Sequence, residues 1–327
     1  MAKDLLLLYK IVGQLITIIE VNSELGAGTR GASLGSRSLQ TASLSSEKSI
    51  FSDKKRVKVE TENDLLLDST TTISAKYIDG ISRMFDRICD QVSKTLSAKE
   101  FPFVLAGDHS SAGATIAGIK AANPNKRLGI IWIDAHADLH SPYTSPSGNV
   151  HGMPLATAIA YDNMEMASKE PSIEAIEAWE SLKNTGGSSP KVLPEDIVFI
   201  GVRDTEKPED RVCEKFNIKN FSVEEVRAQS VKTTAQDALI RLKECDIVYV
   251  SFDVDSLDPS ISLGTGTPVP NGFEVKEVSD MLDVLLIDPK VCCFEVVEIN
   301  PLLDTTNKMA KAVYPIIERA YYSIAAR

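Results

Sequence analysis

The stretch LGIIWIDAHAD, from Leu128 to Asp138, decides the reading of this chain. Leu128 to Ile133 is an almost wholly apolar run, which fits a strand buried on both faces of a parallel sheet. Asp134, His136 and Asp138 follow at alternate positions. In an extended chain, residues i, i+2 and i+4 share one face, so these side chains are predicted to converge at the carboxyl end of the strand. Open α/β sheets bind their ligands along that edge.

The pattern recurs. Val248 to Phe252 is a second apolar run, followed by Asp253 and Asp255, and Phe103 to Leu105 leads into Gly107-Asp108-His109. The candidate ligands are therefore His109, Asp134, His136, Asp138, Asp253 and Asp255. Any one of them alone reads as a turn former or a helix cap. That reading fails for the set. Four aspartates meeting in a partly buried cleft would repel one another and be driven to take up protons. Two divalent cations would neutralise them and leave the histidines neutral. The chain has only 4 histidines, all between His109 and His151. Oxygen-rich sites with some imidazole suit manganese better than zinc, and the ligand types alone leave Mn, Fe, Co or Ni open.

Around this centre, apolar β-type runs alternate with helical periodicity. Strands are expected at Leu15–Val21, Phe101–Leu105, Leu128–Ile133, Ile197–Val202, Val248–Phe252 and Val291–Val297. Helices are expected at Asp4–Gln14, Thr71–Leu96, from Ser110 to Lys120, and at Ser172–Leu182. Further helices fall at Val223–Ala228, Ala235–Lys243, Val275–Ile287 and Lys308–Ala325. Lys232 to Thr234 reads as a break between two helices, and the Gly- and Ser-rich stretch Asn22–Ser46 reads by composition as a flexible linker. Phe51 to Val59 is basic and gives no clear element. The alternation implies an α/β fold in three layers, αβα, with a central, mostly parallel sheet. No repeat and no long internal linker divides residues 1–327, so one domain is expected.

Composition excludes several classes. A formal net charge of −11 over 327 residues argues against nucleic acid and anionic membrane surfaces as partners and mildly favours a cationic substrate. The N-terminal apolar stretches are interrupted by Asp4 and Lys10, so neither a signal peptide nor a membrane span is expected. Five cysteines without framework spacing read as reduced thiols in a cytoplasmic protein.

GDHS (107–110), DAHADLH (134–140), SGNVHGMP (147–154) and SFDVDSLDP (251–259) together resemble the ureohydrolases, and within them the arginase family, whose loop signature is SGNxHG. The resemblance runs from about Val21 to the C-terminus and implies that Asn22–Ser46 is a Gly-containing loop leading into a helix over the site, not a linker. It implies two Mn2+ per chain and a metal-bridging hydroxide that attacks a guanidinium carbon and releases urea. L-arginine, giving L-ornithine, is the leading substrate. It implies further that His151 is the proton shuttle, that Glu298 binds the guanidinium, and that Thr267 places a hydroxyl near the nucleophile. Asp138 counts among the catalytic residues as well as the ligands. Ser147 and Asn149 match carboxylate-binding positions, Asp204 keeps the family pattern beside the metals, and Glu209 faces the amino end. Two positions depart from the arginase pattern: His140 stands where Asn is usual and Glu206 where Asp is usual. They keep agmatine or guanidinobutyrate open as substrates, beside a weakly active arginase-like binding protein. The expected assembly is a homo-oligomer, a trimer or hexamer.

Overall fold

The computed structural model describes residues 13–327. The helix expected at Asp4–Gln14 lies almost wholly outside the described residues. Eight parallel strands form one sheet in the order β2-β1-β3-β8-β7-β4-β5-β6. Their ranges are β1 Ile16–Val21, β2 Arg56–Lys58, β3 Phe101–Ala106, β4 Leu128–Ile133, β5 Ile197–Ile200, β6 Lys219–Phe221, β7 Ile247–Asp253 and β8 Val291–Val297.

Strand alternation builds two cores, one on each face. On β4, Leu128, Ile130 and Trp132 enter one core while Ile131 and Ile133 enter the other. Every residue of the strand is buried. Each fully buried large apolar side chain contributes about 1.5–3 kcal/mol, so the central strands anchor both layers. One face is covered by α1 (Gly35–Ala42), α7 (Val223–Gln229), α8 (Val231–Arg241), α9 (Val275–Leu285) and α10 (Lys308–Ala325). The other carries α2 (Ile78–Ser97), α3 (Ser111–Ala122), α4 (Pro154–Ile159), α5 (Ile173–Asn184) and α6 (Lys207–Phe216). Helix α2 shows why such segments dock: Ile81, Met84, Phe85, Ile88 and Val92 recur at helical spacing and are all buried. Three layers result, as the alternation of elements implies.

Some expectations are corrected. Helix α8 begins at Val231, so Lys232–Thr234 is helix and not a break. Ser230 accepts a hydrogen bond from Thr233 N and caps the start. The β-branched Val231, Thr233 and Thr234 have low helix propensity, but packing overrides it. Helix α2 starts at Ile78 rather than Thr71, because Thr70 and Thr72 bond to each other and to nearby backbone in a turn. Asn22–Ser46, a linker by composition alone, is ordered and leads into a helix, α1, as the family resemblance implies. Short edge strands β2 and β6 carry too little apolar pattern to be read from sequence; their brevity suits an edge, where long exposed ladders invite mispairing. Among the described residues no helix is long and apolar enough to cross a membrane.

Candidate metal centre and substrate cavity

The centre sits at the carboxyl ends of β3, β8, β7 and β4, which are neighbours in the sheet although far apart in sequence. β3 delivers His109 at the turn into α3, β4 delivers Asp134, His136 and Asp138, and β7 delivers Asp253 and Asp255.

Asp134 stands in the middle. His109 Nδ1 lies 3.1 Å from Asp134 Oδ2, 3.1 Å from Asp138 Oδ2 and 3.2 Å from Asp253 Oδ2. On the other side, His136 Nδ1 lies 2.9 Å from Asp255 Oδ2 and 3.5 Å from Asp134 Oδ1. His109, Asp134 and Asp253 form one potential cation-holding group, and Asp134, His136 and Asp255 form another. The two share Asp134, one oxygen to each side.

Convergence does not come from an extended chain, as the alternate spacing suggests. The chain curls immediately after β4. Asp134 Oδ1 accepts His136 N at 2.7 Å, an Asx turn, and Asp138 is held at φ 51°, in the left-handed region. That conformation costs a non-glycine residue about 1–2 kcal/mol. A repeat of the Asx turn on β7, Asp255 N donating to Asp253 Oδ1 at 2.7 Å, aims the second acid pair.

The donor set fits divalent cations. His109 Nδ1 and Asp134 Oδ2 are fully buried and make no hydrogen bond, although they face one another. Buried polar atoms normally have partners. Atoms left bare on both sides of one point are explained by a cation between them. His109 is fixed for that role: its Nε2 bonds Ser251 Oγ at 2.8 Å and its ring stacks on Trp132 at 4.1 Å and 3°. Burial first, then repulsion from neighbouring acids, pushes Asp253 and Asp255 above the ordinary carboxylate range and Asp138 to about 6. Without positive charge in the cluster, its anionic form is disfavoured.

An open cavity leads from solvent to this cluster. His140, Ser147, Asn149, His151, Asp204, Glu206, Glu209 and Thr267 all line it. Thr267 Oγ1 donates to Asp255 Oδ2 at 3.1 Å. Burial opposes charge on His151, yet the hydrogen bond to Glu298 and its negative charge raise the imidazole to about 9. Glu298 is almost wholly buried against His151; its Oε1 accepts His109 N at 2.9 Å and faces His151 Nδ1 at 3.1 Å. Glu209 is buried with both oxygens engaged, Oε1 by Leu139 N and Oε2 by Glu206 N, each at 3.1 Å. Asp204 Oδ2 lies 3.7 Å from His136 Nε2.

Sequence reading missed Ser251, Trp132 and Arg203. Ser251 and Trp132 could have been found, since they precede the candidate ligands Asp253 and Asp134 by two residues on the same strand face. Arg203 donates to the carbonyls of Gly201, Asp255, Val269 and Pro270 and so ties three loops of the site together. Nothing in its sequence context signals that role.

A three-layer α/β chain with an Asp/His cluster across these strand ends falls in the ureohydrolase class. The chain belongs to the arginase family, whose sequence model matches residues 14–322. It is similar to the arginase of Brevibacillus brevis, 33% identical over 311 residues, 94% of this chain and 97% of that one. The arginase of Bacillus subtilis (strain 168) is 31% identical over 306 residues, 93% and 96% of the two chains. The solved arginase structure from Bacillus caldovelox superposes with a TM-score of 0.80 at 31% identity, covering 94% of this chain and 98% of that one.

Proposed function

We propose that this chain hydrolyses L-arginine to L-ornithine and urea with two bound Mn2+. The observation that carries this reading is the split cluster around Asp134, with bare buried His109 Nδ1 and Asp134 Oδ2 at its centre, at the foot of a cavity rimmed by acids. His109, Asp134, Asp138 and Asp253 would hold one ion, and Asp134, His136 and Asp255 the other. When bound, such ions supply charge neutralisation and acidify water near neutral pH.

The remaining chemistry belongs to the side chains. Asp204 and Glu206 attract a cationic substrate into the cavity. The Glu298 carboxylate orients the guanidinium, which stays charged because its pKa exceeds ~12. In the structure Oε1 is taken by His109 N and His151, which leaves Oε2 for this contact. Thr267 and Asp138 accept and hold a water by hydrogen bonds. Water adds to the guanidinium carbon and gives up one proton to the Asp138 carboxylate. As urea's carbonyl forms, the second O–H proton leaves, the bond from that carbon to the chain nitrogen breaks, and the departing amine takes a proton. His151, charged at neutral pH in this geometry, is the donor placed for it.

We read residues 1–327 as a single ureohydrolase domain, cytoplasmic and assembled as a homo-trimer or hexamer. Two cores on one continuous sheet support the first point, and five unpaired cysteines support a reducing compartment. The test is urea release by the Mn-loaded protein from L-arginine, agmatine and guanidinobutyrate. L-arginine is expected to be the best substrate. A clear preference for agmatine would move the assignment within the class, as His140 and Glu206 allow, and no turnover of any of the three would overturn it.

A further inference from the structure

The cavity mouth is electrically divided. On one side stand Asp204 and Glu206, whose side chains are 65% and 53% exposed. The loop 145–149 also walls the cavity and carries no acid. Behind that wall lies Lys76, a half-buried residue just ahead of α2. Its Nζ donates to Asn149 Oδ1 at 3.1 Å, and Asn149 lines the cavity. That is its one side-chain hydrogen bond among the described residues, so two N–H donors of the ammonium remain.

Lys76 is not there by the swing of a flexible side chain alone. Its backbone N donates to Gly148 O at 2.7 Å. Gly148 is at φ +71°, and a Cβ at that position would overlap the Ile73 carbonyl. The segment 73–76 and the wall are therefore packed backbone to backbone, with room for glycine only. The ammonium is pinned to the wall through both its backbone and its tip. Lys169, another cation near this wall, donates to the backbone oxygen of Pro146 at 3.4 Å, and its charge is felt at His140.

We propose that Lys76 is a specificity-determining residue, which selects guanidino substrates bearing a free carboxylate at the end remote from the guanidinium. This rests on the guanidino hydrolase reading above. A zwitterionic end matches the divided mouth: its ammonium turns toward Asp204 and Glu206, and its carboxylate toward Asn149 and Lys76. A substrate ending in an amine alone gains nothing from the Lys76 side and meets its positive charge. Charge-assisted hydrogen bonds are about twice as strong as neutral ones, so a loss of about tenfold in binding is the scale expected when the ammonium is removed.

The test compares Mn-loaded wild type, Lys76→Met and Lys76→Arg in two measurements. In steady-state urea release, Lys76→Met should raise KM for L-arginine about tenfold with kcat within a few-fold, and Lys76→Arg should recover most of the difference. In calorimetry, the ratio of affinities for L-ornithine and for 1,4-diaminobutane, the same chain without the carboxylate, should fall about tenfold in Lys76→Met. A merely structural role would weaken both ligands together and leave that ratio unchanged, which overturns the proposal; so does an unchanged KM. If wild type releases no urea at all, the hydrolase reading falls, and the calorimetric ratio still decides on Lys76.

Discussion

His151 Nδ1 lies 3.1 Å from Glu298 Oε1, and that same oxygen accepts the backbone N–H of His109 at 2.9 Å. One carboxylate oxygen thus joins the only cavity-lining histidine outside the metal cluster and the rim to the turn that presents a metal-facing one. Glu298 is held for this at φ 66°, with its own N donating to Gly107 O at 2.7 Å. Backbone strain of this kind persists where surrounding structure fixes it, and it gathers at functional sites.

The pairing predicts a titration. Burial disfavours charge on His151, and Glu298 more than compensates, raising the group to about 9. Glu298→Gln removes the main group that raises it and leaves the burial, so the imidazole should fall well below 9, with the charges of Asp138 and Asp108 opposing part of the drop. Four histidines make an NMR titration tractable. A His151 signal still titrating near 9 in the variant would show that Glu298 is not its partner.

A second prediction concerns rate. His151→Asn should lower kcat by roughly 10²–10⁴-fold, the scale of a lost general acid, while KM moves little. An unchanged kcat removes His151 from the proton step.

Metal removal should register in stability as well as activity. Chelation should lower Tm, and Mn2+ should restore it better than Zn2+, because an ion that binds the folded state a thousandfold above its Kd adds about 4 kcal/mol. Asp134→Ala should abolish the Mn-dependent Tm rise, since both potential ion positions use this residue. Metal analysis showing well under two equivalents per chain would refute the binuclear reading.

Arg203 offers a test of positioning at a distance from the ions. Its guanidinium bonds four backbone carbonyls, among them that of the candidate ligand Asp255. A lysine ammonium has three donors and no planar fork, so Arg203→Lys cannot reproduce the set. Mn2+ affinity should drop about 10- to 100-fold, as for other residues that orient ligands. Unchanged Mn2+ binding by calorimetry would make Arg203 an ordinary loop brace.

The ligands were legible in the sequence because each follows a strand whose apolar run is unmistakable, Leu128–Ile133 before Asp134 and Val248–Phe252 before Asp253. The reason for their convergence was not. The alternate spacing suggested an extended chain, but the Asx turn at Asp134 and the left-handed Asp138 depend on local bonds that composition does not encode. The rim was less legible still. Lys76 reaches the Asn149 amide across 73 residues of sequence, three of the four Arg203 contacts span 52, 66 and 67 residues, and no pattern marks such contacts. Elements with weak apolar patterning, β2, β6 and the start of α8, were lost for the complementary reason: tertiary packing fixes them, not their own residues.

The altered rim gives the last prediction. His140 could in principle be charged or neutral near physiological pH; burial, and then the positive charge of Lys169, lower the imidazole to about 4, which favours the neutral ring. Its Nδ1 lies 3.2 Å from Thr144 Oγ1, which turns Nε2 toward Glu209 Oε2 at 3.5 Å and Glu206 Oε2 at 3.8 Å. A neutral ring aimed at the acids offers the substrate carboxylate less than an amide would, and Glu206 carries an extra methylene relative to the Asp usual in arginases. L-arginine should therefore bind weakly, with KM at or above about 1 mM, the upper end of typical values. Protonation of His140 should not tighten binding between pH 8 and pH 6, because the group charges only well below that window. The pair His140→Asn with Glu206→Asp should lower KM and leave kcat within a few-fold. The two side chains share a ligand, so their effects need not add. Loss of L-arginine turnover in the double variant, or a KM that falls steeply as pH drops from 8 to 6 in the wild type, would show that these residues serve a different substrate end or that His140 carries charge after all.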